Sequence, residues 1–334
     1  MPMKKFINRP ENIVSELLEG FVLANRGKVK LAGSNLVVRA QPKAPDKVAL
    51  VTLGGSGHEP ALSGYVGYGM LDISVPGEIF AAPGPPRVIE ALRMANRPAG
   101  VLFVVLNHAG DVMTANVVME MARKEGLNVK MILTQEDISG GPRDKPGSDR
   151  RGLAGCLLVI KIAGAAAEQG RPLDEVLAIA QRVERNMATL AVAVTGATHP
   201  CTGQVIAELP PEDMVIGMGQ HGEAGAGQQK LASADRTAEI MLPMLLEDIK
   251  ARAGERLLVM LNGVGSTTLM ELYIVLRRVK QLLDERGIDM ARAIVGEYLT
   301  VQEMGGFQMI VARMDDELLK LWDAPCDTPA LTVR

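Results

Sequence analysis

Val48-Ala49-Leu50-Val51-Thr52-Leu53-Gly54-Gly55-Ser56-Gly57-His58-Glu59-Pro60 sets an apolar run directly against a glycine-rich loop that carries an ionisable ring. Val48 to Leu53 reads as a compact strand. The same arrangement occurs twice more. Val101 to Leu106 is continuously apolar, as a strand buried on both faces should be, and Asn107-His108-Ala109-Gly110-Asp111 follows it. Met214 to Ile216 runs into Gly217-Met218-Gly219-Gln220-His221-Gly222-Glu223. In α/β proteins chemistry gathers at strand ends, where glycines let a ligand approach the backbone. Three of the four histidines occupy such loops, which points to a site.

Around these loops strands and helices alternate. Helical spacing covers Asn12 to Asn25, Pro86 to Met94, Asp111 to Lys124, Gly152 to Gln169 and Pro172 to Asn186, with further strands at Val129 to Leu133 and Thr189 to Val194. The second half predicts a helix over Ala234 to Arg252, kinked at Pro243. It continues with strands at Leu257 to Leu261, Ala291 to Leu299 and Phe307 to Arg313, and a short helix over Asp315 to Trp322. Thr268 to Gly287 is the clearest helix, opened by the capping box Thr268-Leu269-Met270-Glu271. This alternation is the signature of α/β layers. A chain of 334 residues suits two cores, and the natural cut near Asn186 gives domains 1–186 and 187–334. Thr134 to Arg151 is a polar, Gly/Pro-rich connection carrying Arg143, Lys145, Arg150 and Arg151. It reads either as a solvated surface loop or as one facing a phosphate or a partner.

Composition narrows the function. The chain is 47% hydrophobic and 22% charged, with net charge −3 and mean hydropathy +0.13. No global charge attracts nucleic acid or an anionic membrane, and no basic stretch is interleaved with aromatics. Cys156, Cys201 and Cys326 form no CxxC pair, so neither a zinc knuckle nor a disulfide framework is expected, and reduced thiols in a cytoplasmic protein are. The basic N-terminus lacks the apolar core of a signal peptide. The most apolar run, Gly155 to Ala167, is too short to span a bilayer.

The loops also limit the chemistry. Gly54, Gly55 and Gly57 expose backbone N–H groups that suit a hydroxyl-rich or anionic ligand. The chain contains no GxxxxGK[ST], and the Gly54–Pro60 loop is not the dinucleotide GxGxxG fingerprint. Asp111 fits a helix N-cap as well as a site carboxylate. His221, flanked by Gly219-Gln220 and Gly222, fits a nucleophile with room for substrate or a turn histidine. His199, before Pro200, reads as a turn residue. The histidine spacings contain no HxxxH or HxH, so no metal site is expected.

Taken together, Gly54-Gly55-Ser56-Gly57-His58-Glu59-Pro60, Pro76-Gly77-Glu78-Ile79-Phe80, Gly110-Asp111, Gly219-Gln220-His221-Gly222-Glu223 and Leu321-Trp322-Asp323-Ala324-Pro325 resemble the dihydroxyacetone kinase family, in particular its stand-alone dihydroxyacetone-binding subunits. The resemblance runs from Lys4 to about Leu331. It implies two α/β domains with the substrate site at their interface, and a homodimer. It implies that His221 bonds through Nε2 to the carbonyl carbon of a short-chain ketose as a hemiaminal. His58 would then be an acid/base partner of substrate hydroxyls and Asp111 a second substrate-bonding group, with Gly55, Ser56 and Gly57 completing the pocket. It also implies that Mg²⁺ and ADP or ATP reside on a separate nucleotide-binding subunit, none being held by this chain, with the phosphoryl group drawn from ATP or from phosphoenolpyruvate through the phosphotransferase system. The chain departs from the family where Lys-Asn-Tyr-Thr-Gly-Asp becomes Leu106-Asn107-His108-Ala109-Gly110-Asp111: Leu106 replaces a substrate-contacting lysine and His108 a tyrosine. That change puts dihydroxyacetone itself in question and raises a tetrulose such as erythrulose, or a ketose-sensing co-activator, as alternatives.

Overall fold

The computed structural model describes residues 4–145, 149–223, 225 and 227–334. The chain opens with helix α1 (Ile13–Ala24) and then forms β1 (Val29–Ala32), β2 (Leu36–Arg39), β3 (Ala49–Ser56), β4 (Ile73–Ile79), β5 (Val101–Leu106) and β6 (Val129–Thr134), with α2 (Pro85–Ala95) and α3 (Ala109–Lys124) between the last strands. These strands make one sheet in the order β1-β2-β4-β3-β5-β6. Its centre, β4-β3-β5-β6, is parallel, and β1 and β2 are added antiparallel.

Helices α4 (Cys156–Glu168) and α5 (Leu173–Arg185) follow. Then come β7 (Met187–Thr195), the short β8 (Ala197–Thr198) and β9 (Val205–Ile206), β10 (Asp213–Ile216), β11 (Gly227–Lys230), α6 (Ala234–Asp248), β12 (Arg256–Gly263), α7 (Leu269–Asp284), β13 (Asp289–Gly296) and β14 (Gly305–Arg313). The second sheet runs β11-β10-β7-β14-β12-β13 and is antiparallel except for β12 with β13. α8 (Asp316–Trp322) and the short pair β15 (Cys326–Asp327) and β16 (Thr332–Val333) complete the chain.

Side-chain alternation turns these sheets into five layers. In β5, Val101, Phe103 and Val105 face the core under α2 and α3, while Leu102, Val104 and Leu106 face α4 and α5. In β12, Leu258 and Met260 face that same central layer, and Leu257, Val259 and Leu261 face α6 and α7. Two α/β domains therefore share one helical layer. α4 is apolar on all sides because it is packed on all sides: every residue from Cys156 to Ala167 is buried. A Cβ at Gly164 would stand 2.5 Å from the Gly69 carbonyl oxygen, so this helix meets backbone directly. The Lys161 ammonium, buried with α4, donates to the Leu321 and Ala324 carbonyls at 3.1 and 2.7 Å, pinning the end of α8. This explains the Leu-Trp-Asp-Ala-Pro segment as a structural anchor.

Most predicted elements appear within a few residues, and Thr268 and Glu271 do close a capping box. Strands β1, β2, β4 and β11, and the two-residue β8, β9, β15 and β16, are not among the expected elements. β4 contains Pro76-Gly77-Glu78, and its pairing with β3 comes from tertiary context. Asp111 does not cap α3; His108 occupies the N-cap and Asp111 lies inside the first turn. The Thr134–Arg151 connection is largely internal, although 146–148 fall outside the described residues. Arg150 is 2% exposed and forms a bidentate pair with Asp248 of α6, while Arg143 pairs with Glu184. Arg143, Arg150 and Arg151 are paired within the fold, whereas Lys145 is exposed.

Candidate functional site

A cavity of about 250 Å³ opens where the carboxyl ends of β3 and β5 face the loop after β10, and it is lined by Gly54, Gly55, His58, Leu106, His108, Asp111, Gln220, His221 and Glu223 among others. The fold thus brings His58, His108, Asp111 and His221 to one place, with Gly55 and Leu106 in its wall. Ser56 and Gly57 do not line it. The Ser56 hydroxyl donates to the Gly77 carbonyl at 2.8 Å, and the Gly57 N–H donates to Glu59 at 3.1 Å. A Cβ at Gly55 would come within 2.7 Å of the Ala81 nitrogen, which accounts for a glycine there. His199 sits outside the cavity, where its Nδ1 accepts from the Cys201 N–H in a turn.

Each imidazole is oriented by a partner on its far nitrogen. His58 Nδ1 donates to the Thr300 carbonyl at 2.8 Å, which leaves a lone pair on Nε2. Thr300 is held in turn: buried Asn262 donates to the Leu299 carbonyl at 2.7 Å and accepts from the Tyr298 and Leu299 N–H groups. His221 Nδ1 faces a Glu223 carboxylate oxygen at 3.3 Å, and the other oxygen accepts the His221 backbone N–H at 2.9 Å. The carboxylate can fold back because Gly219 lacks a Cβ, which would lie 2.0 Å from it. Arg151, anchored on Asp137 and the Gly217 carbonyl, stands 3.8 Å from the same carboxylate.

The two Nε2 atoms then face each other at 3.1 Å. Two lone pairs at that distance bond only through a proton carried by one of the rings, and a ligand hydroxyl reaches His58 Nε2 only in place of that contact. Burial, then the His221 charge, pushes His58 down to about 3, so its ring is neutral and able to accept. Burial pushes Asp111 up to about 7 despite an opposing His221 charge, so near neutral pH it can both give and take a proton. Against the cost of burial, the His221 hydrogen bond holds Glu223 down at about 2 and keeps it anionic. Among the described residues, Asp111 Oδ1 and one end of the Gln220 amide are buried with no hydrogen-bond partner. Such orphans in a cavity wall are places a polar ligand would satisfy.

His108, His221 and Glu223 place donor atoms within 4.8 Å of one another, a convergence that local spacing did not foretell. Two imidazoles and one carboxylate do not make the oxygen-rich set that Mg²⁺ takes. His108 Nε2 is committed to the Gly152 carbonyl at 2.8 Å. Thr300, Asn262 and the pairing of Arg151 with Glu223 were missed in sequence. Glu223 and Gln220 were visible beside His221, but only the folded loop shows what they hold.

The Dak1 domain family matches residues 19–330. The chain is 37% identical over 332 residues to the dihydroxyacetone-binding subunit of PTS-dependent dihydroxyacetone kinase 1 from Listeria innocua, a match covering 98% of this chain and 100% of that protein. It is also 37% identical over 332 residues to L-erythrulose kinase from Pectobacterium atrosepticum, covering 98% of this chain and 56% of that longer protein. Among solved structures, a dihydroxyacetone kinase operon co-activator superposes with a TM-score of 0.87 at 30% identity, covering 94% of this chain and 96% of that one.

Proposed function

Because the chain belongs to the Dak1 domain family, we propose that it is the substrate-binding catalytic subunit of a dihydroxyacetone-type kinase, holding a short-chain ketose on His221 for phosphorylation. The observation that carries this reading is the His58–His221 pair, two oriented Nε2 lone pairs meeting in a cavity beside a carboxyl that titrates near 7.

The steps follow from the geometry. His221 Nε2 adds its lone pair to the ketose carbonyl carbon, the C=O π electrons move to oxygen, and that oxygen takes the proton of Asp111 to become a hydroxyl. The positive charge left on the ring faces the Glu223 carboxylate across Nδ1. Glycerol has no carbonyl and cannot form this bond, so covalency discriminates where size does not. His58 Nε2 then accepts the proton of a terminal hydroxyl as its oxygen attacks a phosphoryl group. The nucleotide and its Mg²⁺ come from a separate subunit, which supplies the charge neutralisation that phosphoryl transfer needs. The name of the Listeria relative supports this division of labour and a phosphotransferase-system donor. Leu106 gives the cavity an apolar wall with no charge, and a tetrulose such as erythrulose is the alternative substrate to dihydroxyacetone.

The division between the domains falls at Asn186, where α5 ends and β7 begins, with His58, His108 and Asp111 on one side and His221 on the other. A second copy of the chain is the expected partner at the β13 edge, beside exposed Leu269, Met270, Tyr273 and Ile274 of α7. Among the described residues no helix is long and apolar enough to cross a membrane, and we place the protein in the cytoplasm. A ketose-sensing co-activator is the second reading, supported by the likeness to the co-activator structure.

Native mass spectrometry with dihydroxyacetone, erythrulose and glycerol tests the binding step. Both ketoses are expected to add their mass and glycerol is not; addition of neither ketose would end the proposal. Phosphoryl transfer with the cognate nucleotide subunit separates kinase from co-activator.

A further inference from the structure

Gln220 is 5% exposed and lines the cavity next to His221 in the chain. One end of its amide meets His108 Nε2 at 3.0 Å, and the other end has no partner among the described residues. The assignment of those ends follows from His108. Its Nε2 lies 2.8 Å from the Gly152 carbonyl, so that nitrogen carries the hydrogen and can accept nothing. The amide terminus against it is therefore best an oxygen, which leaves the NH₂ as the unpartnered terminus. Burial holds His108 below its ordinary range and hence neutral, in keeping with this single-donor role. Its ring also stands edge-on to His221, centroids 5.4 Å apart, so the two domains meet through these three side chains.

We propose that Gln220, positioned by His108, is a specificity-determining residue that donates to a hydroxyl of the bound ketose beyond those of a three-carbon skeleton. This inference rests on the ketose-binding reading above and sharpens its substrate class. With the carbonyl carbon on His221 and a terminal hydroxyl against His58, dihydroxyacetone keeps one further hydroxyl and erythrulose two, and Gln220 is the buried group left over on the protein for that additional one. A site built to hydrogen-bond a hydroxyl rejects the analogue lacking it, because the protein group then stays buried and unpaired.

The test compares erythrulose with dihydroxyacetone by titration calorimetry on the wild type, Gln220→Met and His108→Phe, with thermal unfolding as the folding control. Methionine keeps the shape and removes the hydrogen bond. The wild type is expected to prefer erythrulose. Gln220→Met should weaken erythrulose roughly 10- to 100-fold and dihydroxyacetone by less than about threefold. His108→Phe should move the ratio the same way while Gln220 stays in place. An unchanged ratio in Gln220→Met, or an equal loss for both ketoses, overturns the inference and leaves ketose binding standing. If the wild type binds neither ketose, the functional reading itself falls and takes this inference with it.

Discussion

The loops carrying His58 and His221 meet in one cavity but are built in opposite ways. The His58 loop is tied across the domain boundary. The Thr300 carbonyl holds its ring, the Thr300 hydroxyl donates to the Glu59 carbonyl at 2.7 Å, and Gln302 donates to the Gly57 carbonyl at 3.0 Å. Its ring is 5% exposed. The His221 ring is 29% exposed, and its own hydrogen bonds, apart from the facing His58, go to Glu223 two residues away. The proposed base is thus fixed by the whole molecule and the proposed nucleophile by its own turn. A base needs a defined distance to one proton, whereas a nucleophile must accommodate a carbon that changes from planar to tetrahedral.

The largest effect should come from the locally held ring. His221→Asn is expected to abolish the ketose adduct in native mass spectrometry without unfolding the protein. An undiminished adduct would move the nucleophile elsewhere. His58→Asn should leave the adduct intact and slow phosphoryl transfer by roughly 10²- to 10⁴-fold in the reconstituted kinase. Turnover at the wild-type rate would remove the base from the scheme.

The domain junction can also be loosened without touching either ring. Arg150→Ala leaves Asp248 with Arg143 alone, 3.9 Å away, and denaturant titration should register a loss of about 3 kcal/mol. A change under 1 kcal/mol would mean that the junction does not depend on this buried pair.

Two smaller, pH-dependent effects distinguish the groups. Unfolded His58 takes a proton below about 6.5, while the folded ring refuses one until about 3. The unfolded state therefore binds more protons between these values, and stability should fall by up to about 1.4 kcal/mol per unit as pH drops through that window. His58→Asn should flatten that slope, measurable by unfolding at pH 4, 5 and 6. Asp111 is the acid of the proposed adduct formation, and its protonated form is lost as pH rises through about 7. The adduct rate should fall above that value, and Asp111→Asn should erase the dependence.

Much of this protein follows from local patterns. The runs at Val48–Leu53 and Val101–Leu106, the capping box at Thr268 and the three glycine-histidine loops are short-range signals, because period, capping and turn chemistry act within a few residues. They are enough for two α/β domains, while the membership of His58, Asp111 and His221 in one candidate site came from the family resemblance. Tertiary structure alone decided the remainder. It buried Arg150 against a helix 98 residues away, turned Asp111 from a helix cap into an orphaned acid, and gave His58 its partner at Thr300, 242 residues on. It also made Gln220 and His108 a pair across 112 residues. Desolvation and hydrogen bonding depend on what lies nearby in space, and separation along the chain does not encode that proximity.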